Sequence, residues 1–110
     1  LDVVLNIAGD AARRCEAELI AFGHLAEGNL HLNYLPGTQA GVDSIDTGAI
    51  ASEVLGAVAH MGGTISAEHG IGVAKVPWLG LIRSEAELRL ARAIRSDFDP
   101  VGIMNPGVLA

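Results

Sequence analysis

Hydrophobic residues recur at helical spacing in three segments of the chain, which predicts three amphipathic helices. The first covers residues 2–16, and one stripe of it is apolar: Val4, Ile7, Ala8, Ala11 and Cys15. The second runs from about Ser44, a suitable N-cap, to Met61, where Gly62-Gly63 ends it. The third begins at Ser84, because residues 84–87 fit a capping box, and ends at Asp99-Pro100. Its apolar side consists of Leu88, Ala91, Ile94 and Phe98.

Two short segments between the first and second helices have the patterns of β-strands. Residues 18–24 form a nearly continuous apolar run. Residues 29–35 alternate, so that Leu30, Leu32 and Tyr34 share one face and Asn29, His31 and Asn33 share the other. The connection between the two segments is short enough for an antiparallel hairpin. With a short extended piece at 64–66 and a turn near 76–81, this order predicts an α+β fold with helices on one face of a small antiparallel sheet.

Size and charge narrow the classes of protein to consider. The chain of 110 residues suits one domain, and its net charge of -6 without any basic run argues against nucleic-acid binding. Arg89, Arg92 and Arg95 recur every three residues in the third helix, which is typical of a solvated face. Cys15 is the only cysteine and is expected in the core, so no intrachain disulfide forms. No apolar run approaches the roughly 20 residues of a transmembrane segment. We expect a cytoplasmic protein, or one peripheral at the inner membrane surface.

Candidate chemistry concentrates in two glycine-containing polar stretches, 23–33 and 62–72, which hold three of the 4 histidines. Two imidazoles and a carboxylate suit a borderline divalent metal. If Phe22 pairs with His31, then His24, His31 and Asn33 project from one face of the hairpin. A shift of the strand register by one residue would put the two histidines on opposite faces. A single histidine in a strand is usually a polar residue whose hydrogen bonds are made within the protein. The spacing therefore predicts a metal-assisted site while leaving the structural interpretation open.

A carboxylate from the second polar stretch can complete this set. Glu68 would supply the third ligand, which leaves coordination positions open for a substrate. His69 and Asn33 would then remain free, one to move a proton and the other to hold a substrate oxygen.

The same stretches match motifs of a known family. Residues 24–33 correspond to the family motif His-x-Gly-Asp-Gly-Asn-Leu-His-x-Asn. Residues 62–72, with Lys75, correspond to a second motif, Gly-Gly-x-Ile/Ser-x-x-Glu-His-Gly-Ile-Gly followed by Lys. A tail of Asp-Pro and then Asn-Pro-Gly corresponds to 99–100 and 105–107. In this order the chain resembles, over about residues 20–108, the C-terminal domain of FAD-linked oxidases of the vanillyl-alcohol oxidase type. D-lactate dehydrogenases, the flavin subunit of glycolate oxidase and D-2-hydroxyglutarate dehydrogenase are of this kind.

The resemblance implies a role for each matched residue. His24, His31 and Glu68 correspond to ligands of a divalent metal, which could be Zn, Mn or Fe. Asn33 and His69 correspond to residues that contact a 2-hydroxy acid, and His69 would be the base for its hydroxyl proton. Asn105 corresponds to an asparagine close to the flavin ring of FAD. The implied reaction is oxidation of a D-2-hydroxy acid to a 2-keto acid.

The resemblance also implies what lies outside the chain. Residues 1–110 would be part of a ferredoxin-like cap domain that is incomplete in its strands. The N-terminal FAD-binding domain, with the basic residues that grip the substrate carboxylate, would be absent. Ala26-Glu27 replaces the family's Gly-Asp, so the hairpin tip is expected to differ in shape. The expected partners are the FAD-binding domain of the parent chain and a small 2-hydroxy acid, and the isolated chain is expected to be inactive.

Two alternatives remain open. In the first, the chain is a non-catalytic binding or dimerisation module that keeps the cap fold, and an open sheet edge favours a homodimer. Alternatively, it is a stand-alone metal hydrolase, which would need an acid/base pair beyond His69.

Overall fold

Helices and a two-stranded antiparallel sheet build the fold in the computed structural model, which describes residues 1–37 and 45–108. The elements are α1 (Asp2–Arg14), β1 (Ala17–Phe22), β2 (His31–Pro36), α2 (Thr47–His60) and α3 (Glu85–Phe98). Short 3-10 helices occupy Leu25–Glu27 and Val76–Leu81. The predicted α+β class is therefore confirmed.

The hairpin has the register in which His31 and Asn33 share one face. Phe22 pairs with His31 at one end of the ladder, and Ala17 pairs with Pro36 at the other. Both strands stop short of the predicted connection, because residues after Phe22 turn into the 3-10 helix. A Cβ atom at Gly23 would overlap the carbonyl oxygen of Asn29, so the two chain segments approach closely there only because Gly23 lacks a side chain.

The core lies on one face of this sheet, where α1 and α2 pack. Its buried members are Ala8, Ala11, Ile45, Ile50 and Val54, with Leu19, Leu32 and Tyr34 of the sheet packed against them. The small alanines allow α1 to lie close to its neighbours. Since successive side chains alternate in a strand, His31 and Asn33 belong to the opposite face.

Helix α2 ends in a way that directs the chain into the second polar stretch. The backbone N–H of Gly63 donates to Val58 and that of Gly62 donates to Ala59, both at 2.9 Å. With Gly62 at φ 77, this is a Schellman motif. At its start, Asp46 is the N-cap and accepts from the N–H of Ala49 at 2.9 Å. The N-cap predicted at Ser44 lies outside the described residues.

Helix α3 begins at the predicted capping box. The Ser84 hydroxyl accepts from the N–H of Glu87, and the Glu87 carboxylate accepts from the N–H of Ser84. Its apolar side is only partly covered, because no helix or strand of the described residues packs extensively against it. Ile94 is 50% exposed and Phe98 is 80% exposed. Within residues 1–37 and 45–108, no helix is long and apolar enough to cross a membrane.

Candidate functional site

The loop after α2 presents Glu68 and His69. Ile65, only 3% exposed, anchors the loop to the interior. The hydroxyls of Thr64 and Ser66 lie 3.0 Å apart, and the N–H of His69 donates to the carbonyl of Ser66 at 3.1 Å. These contacts turn the loop tightly, so the side chains of residues 68 and 69 project beside β2.

Three of the predicted site residues meet at this point. Oε1 of Glu68 lies 3.2 Å from Nε2 of His31 and 3.4 Å from Nε2 of His69. One potential ligand atom from each side chain lies within 4.8 Å of the other two. In the parts of the chain that the structure describes, this is the one cluster of at least three such side chains. The arrangement is compact enough for a single cation to contact all three.

Burial is graded across the cluster. The side chain of His31 is 24% exposed, that of Glu68 is 44% exposed and that of His69 is 68% exposed. The cluster is therefore closed on the side of the strand and open to solvent at His69. A small molecule can reach it from the open side.

Aromatic contacts hold the ring of His31. It stacks on Phe22, its cross-strand partner, with ring centroids 5.1 Å apart and planes 21° apart. It also meets the ring of His69 edge-on at 5.4 Å. Stacking across a strand pair restricts the rotation of both rings. Sequence reasoning gave Phe22 no role in the site, although the predicted register already placed it opposite His31.

The remaining predicted residues lie elsewhere. His24 is the residue that precedes the Leu25–Glu27 helix, and it is exposed and outside the cluster. Its carbonyl oxygen accepts from the N–H groups of Glu27 and Asn29, at 2.9 and 3.2 Å. Asn33 is exposed on the same strand face as His31. Asn105 lies in the turn after α3, with φ at 43°.

A cavity of about 580 Å³ adjoins the cluster and runs along β2. Its polar lining includes His31, Asn33, His69 and Lys75, and its apolar wall comes largely from α2. Lys75 is the only lysine of the chain and the only Lys or Arg among the described residues of this lining. The sequence motif includes Lys75, but the basic residues for a substrate carboxylate were expected in the N-terminal FAD-binding domain. A cavity of this size accommodates a small organic acid.

Tyr34 of β2 adds a polar residue to the lining of the same cavity. Its buried hydroxyl has no hydrogen-bond partner among the described residues. Burial, and then the charges of Glu53 and Cys15, raise the pKa of Tyr34, so the hydroxyl stays protonated.

Comparison with known proteins identifies the same family that the sequence motifs resemble. A family model described as FAD linked oxidases, C-terminal domain, matches residues 1–109. The D-2-hydroxyglutarate dehydrogenase of Stutzerimonas stutzeri (strain A1501) is 41% identical over 92 residues, which is 82% of this chain and 20% of that protein.

Two further relatives match over most of the chain. The mitochondrial D-2-hydroxyglutarate dehydrogenase of Bos taurus is 35% identical over 109 residues, covering 96% of this chain and 20% of that protein. Glycolate oxidase subunit GlcD of Bacillus subtilis (strain 168) is 30% identical over 104 residues, covering 94% and 22%. The chain thus spans about a fifth of the length of these relatives. No solved structure matches it significantly.

Proposed function

The chain belongs to the family of FAD-linked oxidase C-terminal domains, and from this premise we propose that it is the substrate- and metal-binding part of a flavin-dependent enzyme. The proposed reaction oxidises a D-2-hydroxy acid of the lactate, glycolate or 2-hydroxyglutarate class to the 2-keto acid. The observation that carries the proposal is the cluster of His31, Glu68 and His69 at the mouth of a cavity lined by Asn33 and Lys75. FAD would be bound mainly by the rest of the parent protein.

The donor set fits a divalent metal. It offers imidazole nitrogens and a carboxylate oxygen within 4.8 Å of one another, which suits zinc, manganese or iron. When bound, such an ion would polarise the substrate hydroxyl and lower its pKa. The resemblance and the 3.2 Å distance between their side chains both support His31 and Glu68 as ligands.

The third ligand decides the role of His69. An imidazole whose lone pair is engaged by a metal cannot also take a proton, so a base role for His69 requires that another residue complete the ligand set. The family resemblance assigns the position to His24, whereas His69 is the histidine that lies beside Glu68. We propose His24, His31 and Glu68 as the ligands and His69 as the base. The high exposure of His69 supports this assignment, because a base must meet the substrate at the open side.

His69 and Asn33 then have different roles in the oxidation. His69 takes the proton of the hydroxyl as the hydride leaves the adjacent carbon, and Asn33 holds a substrate oxygen through its amide. FAD, when bound, supplies the hydride acceptor. Because the substrate loses one proton and one hydride, the product is the 2-keto acid.

Lys75 suits the carboxylate of the substrate. It is the only Lys or Arg among the described residues of the cavity lining, and its ammonium group attracts an anion. We expect Lys75 to act on binding more than on the transfer itself.

Flavin reduction in the full-length parent protein tests the proposal. The parent is mixed anaerobically with D-lactate, glycolate or D-2-hydroxyglutarate, and L-2-hydroxy acids serve as controls. We expect at least one of the first three to bleach the flavin, and His69→Ala to slow bleaching by roughly 10²–10⁴-fold. If no 2-hydroxy acid bleaches the flavin, the proposed reaction is wrong.

A further inference from the structure

The segment after α3 folds back onto the helix end around one buried carboxylate. Asp99 is 8% exposed, although Val101 and Ile103 beside it are 79% and 76% exposed. Its carboxylate accepts from the backbone N–H groups of Ile103 and Met104, each at 2.9 Å. These hydrogen bonds, led by that of Met104, outweigh the effect of burial and hold the pKa of Asp99 below its usual value.

Arg95 holds the same segment from the opposite side. Its guanidinium donates to the carbonyl oxygens of Met104 at 2.6 Å and Asn105 at 3.0 Å, and also to that of Val108. It lies 3.8 Å from Asp99. Arg95 is therefore not part of the solvated face that its spacing predicts, because the returning chain covers it. Within residues 103–108, Asp99 accepts from two N–H groups and Arg95 donates to three C=O groups, and we call these two side chains the tail clamp.

The backbone conformation of Asn105 depends on these contacts. Its φ of 43° lies in the left-handed region, which asparagine adopts more readily than most residues with a side chain but less readily than glycine. Pro106 follows it, and a residue before proline is restricted in the helical regions of backbone space. Such a conformation persists only where surrounding contacts enforce it. Arg95 supplies one of those contacts directly, through the carbonyl of Asn105 itself.

We propose that Arg95 and Asp99 are positioning residues whose role is to hold Asn105 in place against the flavin of the parent enzyme. The proposal rests on the proposed function and on the family resemblance, which implies that Asn105 lies close to the flavin ring. A fork-shaped guanidinium suits the task because it binds several carbonyls in a fixed geometry, which a lysine ammonium does not reproduce. The tail clamp thereby links the C-terminal end of this chain to the chemistry of the flavin.

The test uses the full-length flavoenzyme and a double-mutant cycle. The variants are Arg95→Gln, Asn105→Gly and the two combined, with Arg92→Gln as the matched control. Glycine at 105 adopts the left-handed φ without strain, so this change removes the side chain alone. Arg92 lies on the same helix and pairs with Glu85 at the surface, 2.9 Å away. The readouts are the absorption spectrum of the oxidised flavin, which needs no substrate, and the rate of flavin reduction.

We expect Asn105→Gly and Arg95→Gln to shift the flavin spectrum alike and to slow reduction by roughly 10- to 100-fold, the range typical of a misplaced group. The double variant should match Asn105→Gly, because Arg95 acts through Asn105. Arg95→Lys should recover only part of the rate, and Arg92→Gln should leave spectrum and rate unchanged.

Other outcomes overturn the proposal. A positioning role is excluded if the flavin spectrum of Asn105→Gly is unchanged, or if the effects of the two substitutions add in the double variant. It is also excluded if Arg95→Gln has the same spectrum and reduction rate as Arg92→Gln. If Arg95→Gln yields no folded protein, Asp99→Asn enters the same cycle and is judged by the same results. A flavin that no hydroxy acid reduces refutes the proposed reaction alone, since the spectrum still decides the role of the tail clamp.

Discussion

The hairpin that carries His31 should depend on the absence of a side chain at Gly23. A Cβ there would overlap the carbonyl oxygen of Asn29 and approach Leu30 Cα to 3.0 Å, and the residue has φ 157. All of these neighbours are backbone atoms, which cannot rotate away. Overpacking costs roughly 1–3 kcal/mol, and a backbone conformation suited to glycine costs roughly 1–3 kcal/mol more. Gly23→Ala should therefore destabilise the chain by about 4 kcal/mol, a large share of the stability of a typical domain.

Two other glycines separate the two contributions. Gly28 has φ 71 with nothing within 4 Å of an added Cβ, so Gly28→Ala should cost only about 1 kcal/mol. Gly80 has open space and no positive φ, so Gly80→Ala should change stability by about 0.5 kcal/mol or less. Urea unfolding followed by circular dichroism gives the three values. If Gly23→Ala unfolds at the same urea concentration as Gly28→Ala, the close approach does not limit the hairpin and the reasoning fails.

Further predictions concern the cavity and the tail. Lys75→Met should raise the KM of the parent enzyme for the hydroxy acid at least tenfold with a smaller change in kcat, whereas Arg89→Met, a surface control, should not; equal kinetics in both would exclude Lys75 from carboxylate binding. Tyr34→Phe should leave the stability of the substrate-free chain unchanged or raise it by about 1 kcal/mol, because it removes a buried hydroxyl without a partner; a clear loss measured by urea unfolding would contradict this. Because the pKa of Asp99 is lowered in the folded chain, its contribution is present above the usual aspartate pKa and is lost as pH falls through the lowered value. Hydrogen exchange at the N–H of Ile103 and Met104 should accordingly lose protection on acidification, and Asp99→Asn should remove this pH dependence.

Local signals were sufficient to predict much of the fold. The alternation of Leu30, Leu32 and Tyr34 sets the face of the strand that packs on the helices, which in turn sets the pairing of Phe22 with His31. The capping box at Ser84 depends only on residues within one turn of helix. The approach of Glu68 to His31 was also expected, because both lie in the polar glycine-containing stretches.

Other features depend on geometry that no local pattern reveals. The pattern of residues 18–24 continues the first strand to His24, but the chain leaves the ladder after Phe22 and places His24 in a turn. Arg95 has the spacing of an exposed helix face, and only the return of residues 103–108 covers it. The apolar side of α3 was predicted correctly as a stripe, but within the described residues nothing packs extensively against it.

Several expectations stay predictions. These are the cytoplasmic location and the alternative role as a non-catalytic or dimerisation module. Size-exclusion chromatography with light scattering tests the second, since a stable dimer that forms without metal would favour it.

Metal content of the full-length parent protein tests the proposed site most directly. Elemental analysis should find close to one divalent metal per chain in the unmodified protein and in His69→Ala, and a loss of metal in His24→Ala, His31→Ala and Glu68→Gln. His60→Ala, a histidine at the end of α2 outside the cluster, is the matched control and should keep its metal. Metal retained in both His31→Ala and Glu68→Gln would contradict the proposed site, and metal lost in His69→Ala but kept in His24→Ala would make His69 a ligand in place of a base.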